Sequence, residues 1–319
     1  MSDASRPDVQ PRHPAAMTFL RDHITYIIFG LVTLYFVFTA PSFATIGTAE
    51  AILRITAIVS IMAVGMTFVI ISAEIDLSVG SMASLSGMVG ALMLQAGFGW
   101  IPAILLTLLF GAVVGAFSGL LVTLLRIPSF LVTLGMLSIL SGIALTITGT
   151  RSVPIVSSDF TQTLWDGSVA GVPVPIIWTA IIALIGFYLL HITPLGKRVF
   201  ATGGNVVAAR FSGVRTDRIK LFAFILSGFT ASLAGLILAA RSTAGNPSLG
   251  AGLELDVIAA VIIGGTSLFG GRGSIIGSVV GAIFIGIVGF GLLVMGFSTS
   301  IQEIIKGAII IGAVALARR

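Results

Sequence analysis

Cysteine is absent from the 319-residue chain, which excludes disulfides, thiol nucleophiles and Cys-based metal sites. Charge is scarce as well. Charged residues make up 9% of the sequence and hydrophobic ones 56%, and mean hydropathy is +1.14. A soluble domain carries about 25% charged residues, so this chain lacks the polar groups to cover its own surface. That argues against a water-soluble enzyme, a nucleic-acid binder and a disordered protein. The three histidines (His13, His23 and His191) lie far apart, and no metal site is expected from them. No Gly-x-x-x-x-Gly-Lys-Ser/Thr loop occurs, so any ATP hydrolysis belongs to a partner; the chain is expected to hold no cofactor and to be no enzyme.

Long apolar runs are what the sequence does contain. A spanning helix needs about 20 mostly apolar residues, and ten such runs lie near 24–40, 51–72, 78–95, 101–125, 130–148, 175–192, 219–240, 255–269, 273–295 and 299–317. This predicts an all-α polytopic membrane protein. Residues 1–23 form a polar N-terminal tail and 24–319 one transmembrane domain. The first run also reads as a signal peptide, because Ser42-Phe43-Ala44 offers a small-x-small cleavage site; the long n-region with Asp3, Asp8 and Asp22 favours a retained span.

The net charge of +5 reads as a topology signal, not as a nucleic-acid footprint. With the N-terminus in the cytoplasm, 13 of the 17 Lys and Arg fall on the cytoplasmic side, as the positive-inside rule asks. Arg54, Arg151 and Arg241 fall outside, and Lys306 lies within a span. Trp100, Trp165 and Trp178 then sit at or near the outer interface, and both termini are cytoplasmic. Two longer connections remain: 149–174, outside, and 193–218, inside and strongly basic.

Two segments resemble each other. Glu74-Ile75-Asp76-Leu77 precedes span three, and Glu254-Leu255-Asp256-Val257 precedes span eight. Gly111, Gly115 and Gly119 in span four match Gly273, Gly277 and Gly281 in span nine. Spans two to five therefore pair with spans seven to ten, in inverted orientation. Inverted repeats with interrupted helices are typical of transporters. The glycine ladders read as helix-packing faces, where small residues let backbones approach.

Three motifs carry a family resemblance. Glu74-Ile75-Asp76-Leu77-Ser78-Val79-Gly80-Ser81 resembles the Gly-Ile-Asp-Leu-Ser-Val-Gly-Ser run of sugar-type ABC importer permeases, the ribose/xylose/arabinose/galactose class. Gly264 to Ser274 (Gly-Gly-Thr-Ser-Leu-Phe-Gly-Gly-Arg-Gly-Ser) is similar to that family's late cytoplasmic turn. Leu195 to Asn205, continued by Ala208-Ala209 and Ser212-Gly213, is similar to its central cytoplasmic loop. Glu74 stands where the family commonly has glycine. The resemblance implies a type II importer-like complex in a bacterial inner membrane. Two permease chains, identical or not, would form the pathway, a cytoplasmic ATPase would drive it, and a periplasmic or lipid-anchored binding protein would deliver a monosaccharide such as ribose or xylose.

The residues themselves leave several readings open. Glu74, Asp76 and Ser78 near the inner face, and Glu254 and Asp256 at the outer face, read either as caps of the helices that follow or as gate and pathway groups, since acids near hydrocarbon are costly. Glu50 and Arg54 read as a surface ion pair. Glu303 and Lys306, three apart, read as a pair inside the bundle or as part of a polar path. In the central loop, Pro194 and Gly196 break the preceding span, and Gly203 and Gly204 form a turn. Asn205 caps a helix of about two turns that Gly213 ends. Gly204, Asn205, Ala208, Ala209, Arg210, Phe211 and Gly213 make this the candidate element for docking the ATPase, against the plainer reading of a solvated basic loop. An ion-coupled secondary transporter, and permeases for branched-chain amino acids, nucleosides or a furanosyl signal, remain the competing functions. An intramembrane enzyme lacks a His or Cys cluster.

Overall fold

The computed structural model describes residues 27, 29–40 and 43–317. The polar tail, the cleavage-like Ser42 and the terminal Arg318 and Arg319 lie outside the described residues. Among the described residues thirteen helices follow one another: α1 (Phe29–Thr39), then α2 (Ile46–Ile71), α3 (Val79–Gln95), α4 (Trp100–Leu124), α5 (Ser129–Thr146), α6 (Ser158–Thr161), α7 (Val174–Phe187), α8 (Pro194–Gly204), α9 (Val206–Phe211), α10 (Thr216–Ser242), α11 (Leu253–Ile263), α12 (Ile275–Val294) and α13 (Thr299–Ala317). A π-helical turn, Tyr188–Ile192, prolongs α7. Among the described residues six helices are long and apolar enough to cross a membrane: α2, α4, α5, α7 with its π turn, α10 and α12.

These helices are apolar all round, so hydrophobicity cannot choose the face that is buried. Residue size does. On α4 the large side chains Leu105, Leu109, Val113, Phe117 and Leu124 are exposed, while Gly111, Gly115, Ser118 and Gly119 are buried. Without water between helices, association rests on close packing, which small residues permit. α4 packs on α10 through this stripe, and a Cβ on Gly228 would strike the Gly111 carbonyl and Gly115 Cα. α2 and α10 form the centre of the bundle, with 83% and 72% of their most apolar windows buried. They meet at Gly65, which lies against Thr230 and Ser227. Around them α3 packs on α10 and α5, α12 packs on α2, and α11 packs on α12, α2 and α13. Buried hydroxyls satisfy one another between helices: Ser86 with Ser232 at 2.8 Å, and Thr67 donating to Ser278 at 2.7 Å.

Three elements differ from the sequence expectation, and one connection proves more structured than the sequence described. The run 255–269 is helical only as α11, because Gly264 caps it and Gly265 turns away at φ +89°. Gly273 precedes α12, whose cap is Ser274, so only Gly277 and Gly281 of that ladder are helical; they pack on Gly264 and Ala260. Gly203 and Gly204 are the last residues of α8, not a turn. Pro194 opens that helix at N1, where its missing N–H is not needed. The connection 149–174 is ordered: β1 (Val153–Pro154) pairs antiparallel with β4 (Ala244–Gly245), and β2 (Ser168–Val169) with β3 (Val172–Pro173). The second pair closes through Ala170 and Gly171, both at positive φ, as a two-residue hairpin requires.

Candidate functional site

The segment between α2 and α3 runs deep into the bundle. Asp76 is buried and its carboxylate accepts three bonds: from Ser78 N (3.0 Å), Ser78 Oγ (2.6 Å) and Ser227 Oγ (2.7 Å). Ser227 lies eleven residues beyond the start of α10, about 16 Å along it at 1.5 Å per residue. Seven residues later in α3's direction, Ala83 rests against Gly235. α3 therefore begins level with the middle of α10 and runs parallel to it. Its neighbours hold the entry. Ser129 Oγ accepts from Ile75 N at 3.2 Å, and Thr133 Oγ1 donates to Ile75 O at 3.3 Å. Glu74 pairs with Lys220, both largely buried.

The segment before α11 comes to the same depth from the other side. Gly250 N donates to Ser84 Oγ at 2.8 Å. The Glu254 carboxylate and Gly250 carbonyl lie against Gly80, in the first turn of α3. Glu254 is thus not at the outer face, where the sequence put it, but beside the start of the other interrupted helix. Gly252, at φ +86°, begins α11 and makes no side-chain cap. Asp256 does not cap the helix either; it accepts from Lys306 Nζ of α13 at 2.7 Å. That replaces the expected Glu303–Lys306 pair, because Lys306 is half-buried toward α11 while Glu303 is exposed. Two interrupted helices with adjoining N-termini, each entry satisfied by hydroxyls and an ion pair, give irregular backbone within the bundle the partners that hydrocarbon does not provide. Asp76 receives the N–H of Ser78, the cap residue of α3, and not an N–H of the helix itself, and Ser78 makes no side-chain cap bond.

The central connection is largely helical. The Asn205 carboxamide oxygen accepts from Val207 N (3.1 Å) and Ala208 N (3.0 Å), which starts α9. Gly213, at φ +82° with open space around it, ends the turn after α9. Ala209 is buried, and Phe211 is 90% exposed. Arg210 ties α9 to α10: Nε donates to Thr216 Oγ1 at 2.8 Å and Nη2 to Asp217 Oδ1 at 2.6 Å. Gly203 lies on the Ile71 carbonyl, and Gly271 N donates to that carbonyl at 2.9 Å. α8, the end of α2 and the 264–274 turn therefore share one backbone contact at this end of the bundle.

At the opposite end Arg54 does more than pair with Glu50, which lies 4.0 Å away. Its Nη2 donates to Trp165 O at 2.8 Å, and both Arg54 and Arg241 stand over the Trp165 ring, at 5.1 and 5.4 Å from the centroid. Lys220 and Arg241 entered the sequence reading only as topology charges, and Ser227 and Thr133 not at all. Lys220 and Ser227 are seven apart on α10, two turns of one face, and a lysine inside an apolar run was the signal available for the first.

Buried polar ties and two interrupted helices within an apolar bundle define a multi-pass helical membrane protein. Comparison with known proteins makes this specific. The chain belongs to the family described as branched-chain amino acid transport system / permease component, whose model matches residues 48–314. It is 41% identical over 281 residues to the ribose import permease protein of Escherichia coli (strain K12), covering 86% of this chain and 87% of that one. The D-allose transport system permease protein of the same organism is 38% identical, over 92% and 90% of the two chains. Its xylose transport system permease protein is 36% identical, over 89% and 88%. No solved structure matches the chain at a significant level.

Proposed function

We propose that this chain is the transmembrane permease subunit of an ABC importer for a monosaccharide such as ribose or xylose. The observation that carries this reading is the likeness to ribose, allose and xylose permeases over nearly nine-tenths of each chain. In this reading a separate cytoplasmic ATPase hydrolyses ATP, a periplasmic or lipid-anchored binding protein delivers the sugar, and a second permease chain completes the pathway in a bacterial inner membrane. The chain itself carries no cofactor. Residues 1–23 are a cytoplasmic tail and 24–319 one permease domain, with both termini inside.

Ten membrane elements follow if α1, α3, α11 and α13 join the six long helices. An inverted repeat of the type II kind is supported by how they pack. The α10–α4 contact has its counterpart in α2–α12, α10–α3 in α2–α11, and α3–α5 in α11–α13. Entry segments at Asp76 and Asp256 are each tied to the last helix of their half, through Ser129 and Thr133 on one side and Lys306 on the other. In this scheme Glu74, Asp76, Ser78, Glu254 and Asp256 hold the gate, and α9 docks the ATPase through the exposed Phe211. The glycines of α4 and α12 pack the helices.

The family's description favours a second substrate class, branched-chain amino acids. Reconstitution into proteoliposomes with the ATPase and binding protein discriminates the two. ATP-dependent uptake of a labelled pentose or hexose and none of leucine supports the sugar reading, whereas leucine uptake alone rejects it. Uptake driven by an ion gradient without the ATPase would reject the importer itself.

A further inference from the structure

Three arginines at the foot of α10 share one concavity and, among the described residues, have no acidic partner. Arg198 of α8, Arg215 in the turn before α10 and Arg218 in its first turn line a cavity of about 420 Å³, together with Ser212, Gly213 and Ile219. Among the described residues the ion pairs engage Arg54, Arg210, Lys220 and Lys306. The neighbouring carboxylate, Asp217, is held by Arg210 at 2.6 Å. Among the described residues no carboxylate pairs with the three arginines, so the cavity presents a concentrated positive charge. The floor beneath them is rigid, since Val199, Thr202, Thr216 and Ile219 are all buried. The N-terminus of α10 adds the positive end of its dipole to the same space.

Guanidinium groups favour phosphate, which they bind through two parallel N–H bonds. The position of the cavity says where such a phosphate comes from. α10 has 27 residues, about 40 Å of helix against a hydrocarbon core of about 30 Å, so an end of it stands among headgroups. α8 packs back on the end of α7, with the His191 and Phe200 rings 6.2 Å apart. The adjacent Tyr188 and Ile192 are exposed apolar groups at the end of that span. They offer an acyl chain an apolar surface at the end of the span on which α8, the helix that carries Arg198, packs. Basic pockets between helices at a membrane surface take anionic headgroups in this way. We infer that this cavity binds the phosphate of an anionic phospholipid. The inference rests on the chain's being a membrane protein and not on which solute it carries, and its test does not read transport.

The full-length chain is purified in mild detergent and its bound lipid is read by native mass spectrometry. It is then reconstituted into nanodiscs of phosphatidylcholine with increasing phosphatidylglycerol. The wild type is expected to retain phosphatidylglycerol selectively. R198Q/R215Q/R218Q is expected to lose it at least ~10-fold, since each arginine near a charged surface contributes about five-fold. R198K/R215K/R218K, which keeps the charge but not the paired N–H donors, retains only part of it, and K197Q, outside the cavity, behaves as wild type. Circular dichroism and size exclusion establish that each variant is folded. Equal retention by the wild type and the glutamine variant overturns the inference. So does tighter binding of inorganic phosphate than of the lipid, which makes free phosphate the ligand. Loss of ATPase binding by the glutamine variant, with phosphatidylglycerol retention unchanged from the wild type, reassigns the arginines to a protein contact and overturns it too.

Discussion

Replacing Lys220 with methionine removes the charge that faces Glu74 while keeping the length of the side chain. Side chains of Lys220 and Glu74 are 20% and 11% exposed, so neither charge is well hydrated, and the pair links the start of α10 to the entry of α3. Removing one member of a buried pair costs about 3–5 kcal/mol, because the other charge is left uncompensated, whereas replacing both by neutral groups of similar size is close to neutral. Partial exposure places each single substitution at the lower end, about 3 kcal/mol. K220M and E74Q are each expected to destabilise the purified permease by that amount, and K220M/E74Q by under about 1 kcal/mol. The coupling energy is then several kcal/mol, against about 0.3–0.5 for independent sites. The assay is a double-mutant cycle read as thermal inactivation of the reconstituted complex, with sugar-stimulated ATP hydrolysis measured on the same samples. Additive effects within about 0.5 kcal/mol would show that the two charges act separately, and the structural link between α10 and the α3 entry would fall with them.

D76A leaves the hydroxyls of Ser78 and Ser227 without their shared acceptor, at about 1–3 kcal/mol for each unpaired group, and is expected to lower uptake far more than D76N, whose amide oxygen still accepts; equal, near-normal uptake by both variants refutes a special role for Asp76. F211D changes a side chain that is 90% exposed and is expected to leave insertion intact while abolishing sugar-stimulated ATP hydrolysis; wild-type coupling in that variant removes α9 from the transmission. G213P demands φ near −65° where the backbone is at +82°, and is expected to have the same effect on ATP hydrolysis. G228V drives methyl groups into the α4 backbone and is expected to cost at least about 1–3 kcal/mol by overpacking, measured as loss of thermal stability, while G142A, with open space around it, changes nothing. Single cysteines are expected to label from inside at Arg210 and from outside at Trp165 and Asn246; labelling of R210C only from outside overturns the orientation.

Much of the fold was legible because a spanning helix needs an uninterrupted apolar run, and such runs announce themselves at α2, α4, α5, α7, α10 and α12. The Asn205 cap of α9 was legible for a local reason, since a carboxamide and the two N–H groups it accepts from lie within three residues. What the sequence could not convey was partnership between distant segments. Lys306 is three residues from Glu303 and fifty from Asp256, yet it is Asp256 that it meets, because α13 turns it toward α11. Depth was equally hidden. Asp76 and Glu254 looked like groups at opposite faces, since each sits between two apolar runs, and only the early starts of α3 and α11 bring both into the interior.

The polar groups of α10 fall into a pattern that gives these contacts a common mechanical sense. Thr216 and Asp217 receive Arg210 from α9, Lys220 pairs with Glu74, and Ser227 donates to Asp76. Positions 216, 220 and 227 recur at helical spacing, so one side of a single rigid helix carries all three links. If a partner docks on α9 as proposed, Arg210 is the contact through which a tilt of α9 would reach the foot of α10. The same helix then acts on the α3 entry at two levels, first at Glu74 and then, about 10 Å further along at 1.5 Å per residue, at Asp76. Glycine at position 74, common among the relatives this segment resembles, has no side chain to accept from Lys220, and the link would then run through Asp76 alone. The glutamate in this chain therefore adds a second, charge-dependent hold on the same segment, one whose strength is fixed by burial and not by bulk salt.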